Sequence, residues 1–189
     1  MATIVIPFAG AGSKTRLHVS AEVRSALASA MFEDVLAACQ PVGPVRVVTP
    51  DEDAVAAGAN VELVDDPGEG QGAAVAAALA GVEGPIVVVN ADVPCVVPAD
   101  VRLLAETAPA LVAAADGTTN ALSLPSAGHF EPLYGPGSAA RYQARCGAVS
   151  MVVPNLADDV DTMDDLARLQ LRVGPRTQAA LGMLQRGLV

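Results

Sequence analysis

A chain of 189 residues can bury a sizeable core without metals or disulfides, and its formal net charge of −10 argues against nucleic acid, whose phosphates need a basic face. Cys39, Cys95 and Cys146 lie far apart with no ligand spacing, which argues against a disulfide framework or zinc site and points to reduced thiols in a cytoplasmic protein. No apolar run reaches the roughly 18 residues of a membrane span, and the first one lacks the basic region of a signal peptide, so it is expected to be a strand.

That strand opens the stretch TIVIPFAGAGSKTRL at 3–17. Ile4, Val5 and Ile6 form a β-branched run suited to the middle of a parallel sheet, and a glycine loop follows. Gly10 and Gly12 let backbone N–H groups converge on an anion, and Lys14 and Arg16 add full positive charge. Lys14 is the only lysine in the chain, and one ammonium kept beside a glycine loop reads as a phosphate contact. The plain alternative is a strand-to-helix connection with solvated charges. Neither the Walker loop nor the dinucleotide fingerprint fits, because Ser13 precedes Lys14 and Thr15 stands where a third glycine is needed.

Ser20 is placed to cap a helix whose Val23, Leu27, Met31 and Val35 share one face and which ends near Cys39. Strands are expected at 45–49 and 61–64, with a helical turn at 54–57 between them. Glycines 68, 70 and 72 precede an alanine-rich helix, an arrangement in which Gly70 and Gln71 can seat a base or phosphate against exposed N–H groups. The most hydrophobic strand, 85–90, runs out at Asp92. A carboxylate just beyond a central strand lies at the crevice where open α/β sheets bind ligands, so Asp92 is a metal-ligand candidate. Pro98 and Asp100 supply the start of the next helix as its first and third residues.

Strands at 110–114 and 121–124 bracket Asp116 to Asn120, a hairpin turn or a set of donors for a carboxylate or phosphate. Gly135 and Gly137 precede Ser138, which is expected to cap a helix running to Cys146 and to offer a further anion seat. Asp159 and Asp161 fall on alternate positions of a short expected strand, both facing one side, ahead of a capping box formed by Thr162 and Asp165. Gly174 and Pro175 begin the last helix. No linker, repeat or low-complexity tail interrupts the chain, so residues 1–189 are expected to form one domain.

Taken together, SKTRL at 13–17, ADVP at 91–94, DGTTNALSL at 116–124, FEPLYGPGS at 130–138, DVDTMDDL at 159–166 and GPRTQAAL at 174–181 resemble one family nearly end to end. It is the guanylyltransferases of deazaflavin coenzyme F-420 biosynthesis, which act on 2-phospho-L-lactate or phosphoenolpyruvate. The resemblance implies an α/β, single-domain Rossmann-like (GT-A type) nucleotidyltransferase fold, with a mostly parallel central sheet flanked by helices, as in the molybdenum-cofactor guanylyltransferases. It further implies that Asp92 and Asp161, with Asp159 as auxiliary, hold Mg²⁺, and that Lys14 and Arg16 contact the phosphates of GTP. Thr119, Asn120, Gly135 and Ser138 then seat the small phosphorylated acid. Where the family has Gly-Leu-Asn before the nucleotide-side helix, this chain has Gly70-Gln71-Gly72, which leaves the base open between guanine, adenine and cytosine.

Two other readings use the same residues. One is a related nucleotidyltransferase with a molybdopterin or sugar-phosphate acceptor, but the TTN and YGPGS pieces resemble the phosphoacid family more closely. A non-catalytic GTP sensor has little need of paired metal-binding aspartates. Nothing in the sequence selects an oligomeric state, so a homodimer stays open.

Overall fold

The computed structural model describes residues 1–10, 14–51 and 60–186. Gly12 and the helical turn expected at 54–57 lie outside the described residues. The elements run β1 (Thr3–Pro7), α1 (Ala21–Cys39), β2 (Val45–Thr49), β3 (Glu62–Asp65), α2 (Gln71–Ala78), β4 (Ile86–Val89), α3 (Pro98–Glu106), β5 (Ala110–Ala113) and β6 (Thr119–Leu124). There follow α4 (Ser138–Cys146), β7 (Val149–Ser150), α5 (Pro154–Ala157), α6 (Met163–Leu169) and α7 (Pro175–Gln185).

Among the described residues the strands form one sheet in the order β3-β2-β1-β4-β6-β5-β7. The β3-β2-β1-β4 half is parallel throughout, as is the β5/β7 pair, whereas β6 runs antiparallel to both of its neighbours. The two-residue period of the strands sorts their side chains to opposite faces. Ile4, Ile6, Val87 and Val89 pack on one face with Phe32, Val35, Val101 and Leu104 of α1 and α3. Val5, Val88 and Leu122 pack on the other with Val75 and Tyr142 of α2 and α4. Each such side chain, once buried, contributes about 1.5–3 kcal/mol.

Several local expectations hold. Ser20 accepts the Val23 N–H at 3.3 Å, and Val23, Leu27, Met31 and Val35 are buried along α1. Pro98 opens α3, and the Asp100 carboxylate accepts the Val97 N–H at 3.0 Å. Thr162 and Asp165 close the expected capping box on α6.

Three details differ. Ser138 is not the cap of α4 but its first residue: Gly137, at φ 71°, takes the capping position, and the Ser138 side chain is wholly buried. The strand expected to begin at Ala121 begins at Thr119, because the turn closes earlier. There the Gly117 N–H donates to the Ala114 carbonyl and the Ala114 N–H to the Thr118 carbonyl, each at 3.0 Å. Asp159 and Asp161 lie in irregular chain, not on a strand. They nonetheless flank Val160, which is fully buried and whose N–H donates to the Asp92 carbonyl at 2.9 Å, so the two carboxylates still share a side.

The topology positions the site. The carboxyl ends of β1 and β4 and the amino end of antiparallel β6 meet at one edge of the sheet, where the Asn90 N–H donates to the Asn120 carbonyl at 2.9 Å. A third cluster, with Leu17, Leu27, Met31, Val160, Leu166 and Val173, anchors the 158–173 segment over this edge. No helix among the described residues is long and apolar enough to cross a membrane.

Candidate active site

Asp92, Asp159 and Asp161 each bring one carboxylate oxygen into a group whose members lie within 4.8 Å of one another. Lys14 stands among them, its Nζ donating to Asp92 Oδ2 at 2.5 Å and to Asp161 Oδ1 at 3.0 Å. Arg16 donates to the other oxygen of Asp161 at 2.8 Å from a more exposed position. The 78 and 147 residues that separate Lys14 from its two partners are closed by the β1–β4 pairing and by the seating of Val160.

Burial of Lys14 works against its charge, but Asp92 and then Asp161 outweigh that penalty and hold its pKa above the ordinary lysine value. Lys14 is therefore a fixed cation. Asp159 is pushed the other way, upward, by burial first and by the nearby charge of Asp92 second, against the hydrogen bond from Asn120. Asp92 Oδ1 is shielded from solvent and has no hydrogen-bond partner. A buried carboxylate oxygen left without a donor is costly unless something positive meets it. Three clustered carboxylates, only two of them paired with Lys14 and one oxygen of Asp92 unpartnered, fit a hard divalent cation, which takes oxygen ligands at about 2.1 Å.

Beside this cluster opens a cavity of about 260 Å³ lined by Phe8, Lys14, Met31, Gly70, Gln71 and Asp92, among others. Gly10 does not line it; at φ 83° it turns the chain beside Asp51, where an added Cβ would meet the Asp51 Cβ at 3.4 Å. Gly70, at φ 91°, precedes α2 and no side chain caps that helix. Gln71 Nε2 donates to Asn90 Oδ1 at 2.7 Å, and Asn90 Nδ2 donates to the Thr119 carbonyl at 3.2 Å. Gly70 and Gln71 also line a second cavity, of about 510 Å³, which reaches Pro132, Tyr134 and Gly135. The bridge from Gln71 to Asn90 thus stands where the two spaces meet.

The four residues expected to seat the acid are brought together unequally. The hydroxyls of Thr119 and Ser138 lie 2.9 Å apart, both buried, and bond to each other. Gly135 lines the second cavity. Asn120 is buried and donates to Asp159 Oδ1 at 3.3 Å and to the Ala157 carbonyl at 3.2 Å, so it holds the acid cluster in place. Two polar lining residues, Asn90 and Asp66, carry no sequence-based assignment. Asn90 could have been found from its place at the end of β4, two residues before Asp92. Asp66 sits in a turn, accepting the Gly68 N–H at 2.8 Å, and nothing in its spacing sets it apart.

The family model described as "Guanylyl transferase CofC like" matches residues 2–177. A phosphoenolpyruvate guanylyltransferase from Streptomyces scabiei (strain 87.22) is 38% identical over 210 residues, covering 96% of this chain and 96% of its own. Among solved structures, a protein from Desulfovibrio desulfuricans G20, provisionally called a nucleotide-diphospho-sugar transferase, superposes with a TM-score of 0.76 at 17% identity over 98% of this chain and 96% of its own. A Mycobacterium tuberculosis H37Rv protein solved in complex with manganese superposes with a TM-score of 0.57 at 21% identity, over 91% of this chain and 99% of its own. These structures share the Rossmann-like nucleotidyltransferase fold. With its family match running through all seven strands of the described sheet and both halves of the acid cluster, the chain belongs to the CofC-like guanylyl transferase family.

Proposed function

We propose that this protein transfers the guanylyl group of GTP to phosphoenolpyruvate with release of pyrophosphate, a step of coenzyme F-420 biosynthesis, and that it does so with Mg²⁺ held by Asp92, Asp159 and Asp161. The observation that carries the reading is the carboxylate trio, with its unpartnered Asp92 oxygen, set against Lys14 at the mouth of a cavity bounded by Gly70 and Gln71. Phosphoenolpyruvate is favoured over 2-phospho-L-lactate by the name of the Streptomyces scabiei relative. The manganese in the Mycobacterium tuberculosis complex supports a divalent ion.

In this reaction a phosphate oxygen of the acid forms a bond to the α-phosphorus of GTP while the bond from that phosphorus to the bridging oxygen breaks, and pyrophosphate leaves with the electron pair. A phosphate monoester with a second pKa of about 6 is mostly ionised at neutral pH, so no general base is needed. The difficulty is bringing two anions together. Lys14, kept cationic by its aspartates, lowers that repulsion from a fixed position, and Arg16 adds a second charge on the outer side. The divalent ion, when bound, would spread the charge developing on the phosphoryl oxygens. Asn120 orients Asp159, and the Gln71–Asn90 bridge fixes the start of α2 against the end of β4. Gly10, Gly12, Gly70 and Gln71 are assigned to the nucleotide, and Thr119, Asn120, Gly135 and Ser138 to the acid.

The test is pyrophosphate release from GTP with Mg²⁺, with phosphoenolpyruvate, 2-phospho-L-lactate, 3-phosphoglycerate or no acceptor, and the products weighed by mass spectrometry. Release with phosphoenolpyruvate alone, giving a mass equal to acid plus guanylate, is the expected result. Release with another acid moves the acceptor assignment. Silence with all three, in folded protein that binds GTP, rejects the reaction.

A further inference from the structure

Arg24 is half-buried on the first turn of α1, and its Nε is shielded from solvent with no hydrogen-bond partner. That is an anomaly in this chain. Arg16, Arg46, Arg145, Arg168, Arg172 and Arg176 pair with carboxylates, Arg141 donates to backbone carbonyls, and Arg102 and Arg186 are exposed to water, so among the described arginines Arg24 alone keeps a shielded donor without an acceptor. With 21 acidic residues in the chain, Arg24 makes no ion pair among the described residues. A desolvated guanidinium donor without an acceptor is disfavoured, and Arg is kept in such places where a planar fork of donors meets a carboxylate or phosphate.

The position says which anion. Ala28 and Met31 line the cavity beside Lys14 and Asp92, and Arg24 lies four and seven residues before them, on the same strip of the helix. Arg24 itself lies outside the cavity wall, one turn before Ala28, and side chains on a helix lean towards its N-terminus, which places the guanidinium beyond the N-terminal end of that wall. Ala28 contributes only a methyl to this wall and leaves the path open. Lys14 and Arg16 are both engaged with the acid cluster, where the reacting phosphorus belongs. The unmatched cation bonds to none of that cluster, and it stands on a helix whose next two turns supply Ala28 and Met31 to the cavity.

We propose that Arg24 contacts the β- and γ-phosphates of the nucleotide and so holds the pyrophosphate as it leaves. The assignment rests on the nucleotidyltransferase reading above and adds to it a residue that neither the motifs nor the acid cluster point to. A neutral long side chain at this place keeps the packing of α1 and removes only the charge and the donors.

The test compares GTP, GDP and GMP affinities by calorimetry with Mg²⁺ for the wild type, Arg24→Met and Arg24→Lys, together with inhibition of turnover by pyrophosphate. Wild type is expected to bind GTP more tightly than GMP. Arg24→Met is expected to weaken GTP roughly 10- to 100-fold, the range for one charged hydrogen-bonded contact, while leaving GMP unchanged, and to weaken pyrophosphate inhibition by a similar factor. Arg24→Lys should fall between the two. If Arg24→Met fails to fold, Arg24→Gln is read in the same way. An unchanged ratio of GTP to GMP affinity in a folded neutral variant overturns the assignment while the nucleotide reading stands. Wild type that binds no GTP overturns the nucleotide reading itself, and Arg24 with it.

Discussion

At the scale of single residues, the unpartnered oxygen of Asp92 is the most informative atom in the protein. Lys14 covers Oδ2 at 2.5 Å, but Oδ1 is buried with nothing to accept from. An amide at this position would keep the shape and lose the charge. Asp92→Asn is therefore expected to fold as the wild type does while turnover falls by at least about 10²- to 10³-fold, the cost of removing one stabilising group from a reacting centre. The same substitution should abolish a rise in Tm on adding Mg²⁺ or Mn²⁺ that the wild type shows, since a ligand that binds only the folded state stabilises it by mass action. Circular dichroism, pyrophosphate release and melting with and without metal measure the three quantities. A folded Asp92→Asn protein with normal turnover rejects the metal assignment. Lys14 makes a second case: Lys14→Ala leaves Asp92 and Asp161 without their shared cation, so kcat/KM for GTP should fall sharply, and an unchanged value rejects the lysine's role.

At the scale of elements, α2 and α7 each begin against a residue far along the chain. An added Cβ on Gly72 would stand 2.8 Å from the Pro132 Cβ and 3.2 Å from its Cα and carbonyl oxygen. Those atoms belong to a proline ring and its backbone and cannot swing aside, so Gly72→Ala should push α2 from the 131–134 segment and cost about 1–3 kcal/mol, the usual price of overpacking. Urea denaturation measures it, and an unchanged midpoint would show that the two segments part easily. Asp34 on α1 is buried and accepts the N–H groups of Arg176 and Thr177 at 3.0 and 2.9 Å, capping the start of α7 from 142 and 143 residues away. Arg176 also pairs with Glu33. Asp34→Ala removes the cap, so stability should drop by about 1–2 kcal/mol. Because Asp34 touches none of the acid cluster, kcat should hold, and a loss of kcat at full stability would contradict this division of labour.

At the scale of the whole molecule, local signals in the sequence carried six of the seven strands among the described residues and missed the two-residue β7 and the order in which the strands pair. Ile4–Ile6 and Ile86–Val89 are continuous apolar runs, and such runs declare themselves wherever they are buried on both faces. A hairpin turn at 116–120 is one of the two readings of that stretch, and it makes β6 antiparallel to β5; the antiparallel pairing of β6 with β4 declares itself nowhere, because it joins segments far apart in the chain. That pairing delivers Asn120 to Asp159, 39 residues away, and its role in holding the cluster is invisible to spacing. Asp92, Asp159 and Asp161 were legible because a carboxylate at a strand end and a pair at alternate positions have geometric meaning even before the fold is known. The same segment governs the response to acid. Burial raises the pKa of Asp158, but hydrogen bonds from Arg168 and Arg172 outweigh it and hold the group below its usual value; Asp165 is likewise held low, against burial, by Thr162. The unfolded values lie near 3.9, so the stability these two groups contribute is complete above that pH and is lost as pH falls through their lower folded values. Asp159 acts in the opposite sense, since protonating a group whose folded pKa is raised relieves the folded state at the mildly acidic end. Metal-free protein should therefore keep or slightly raise its Tm on going from neutral pH down to about 4, then lose it steeply below. Asp158→Asn should lower the neutral Tm and flatten the acid limb, because the two arginines then lose their shared carboxylate at every pH. Melting curves across this range decide it: an Asp158→Asn limb as steep as the wild type's would mean that the Asp158 pairs do not control the acid transition.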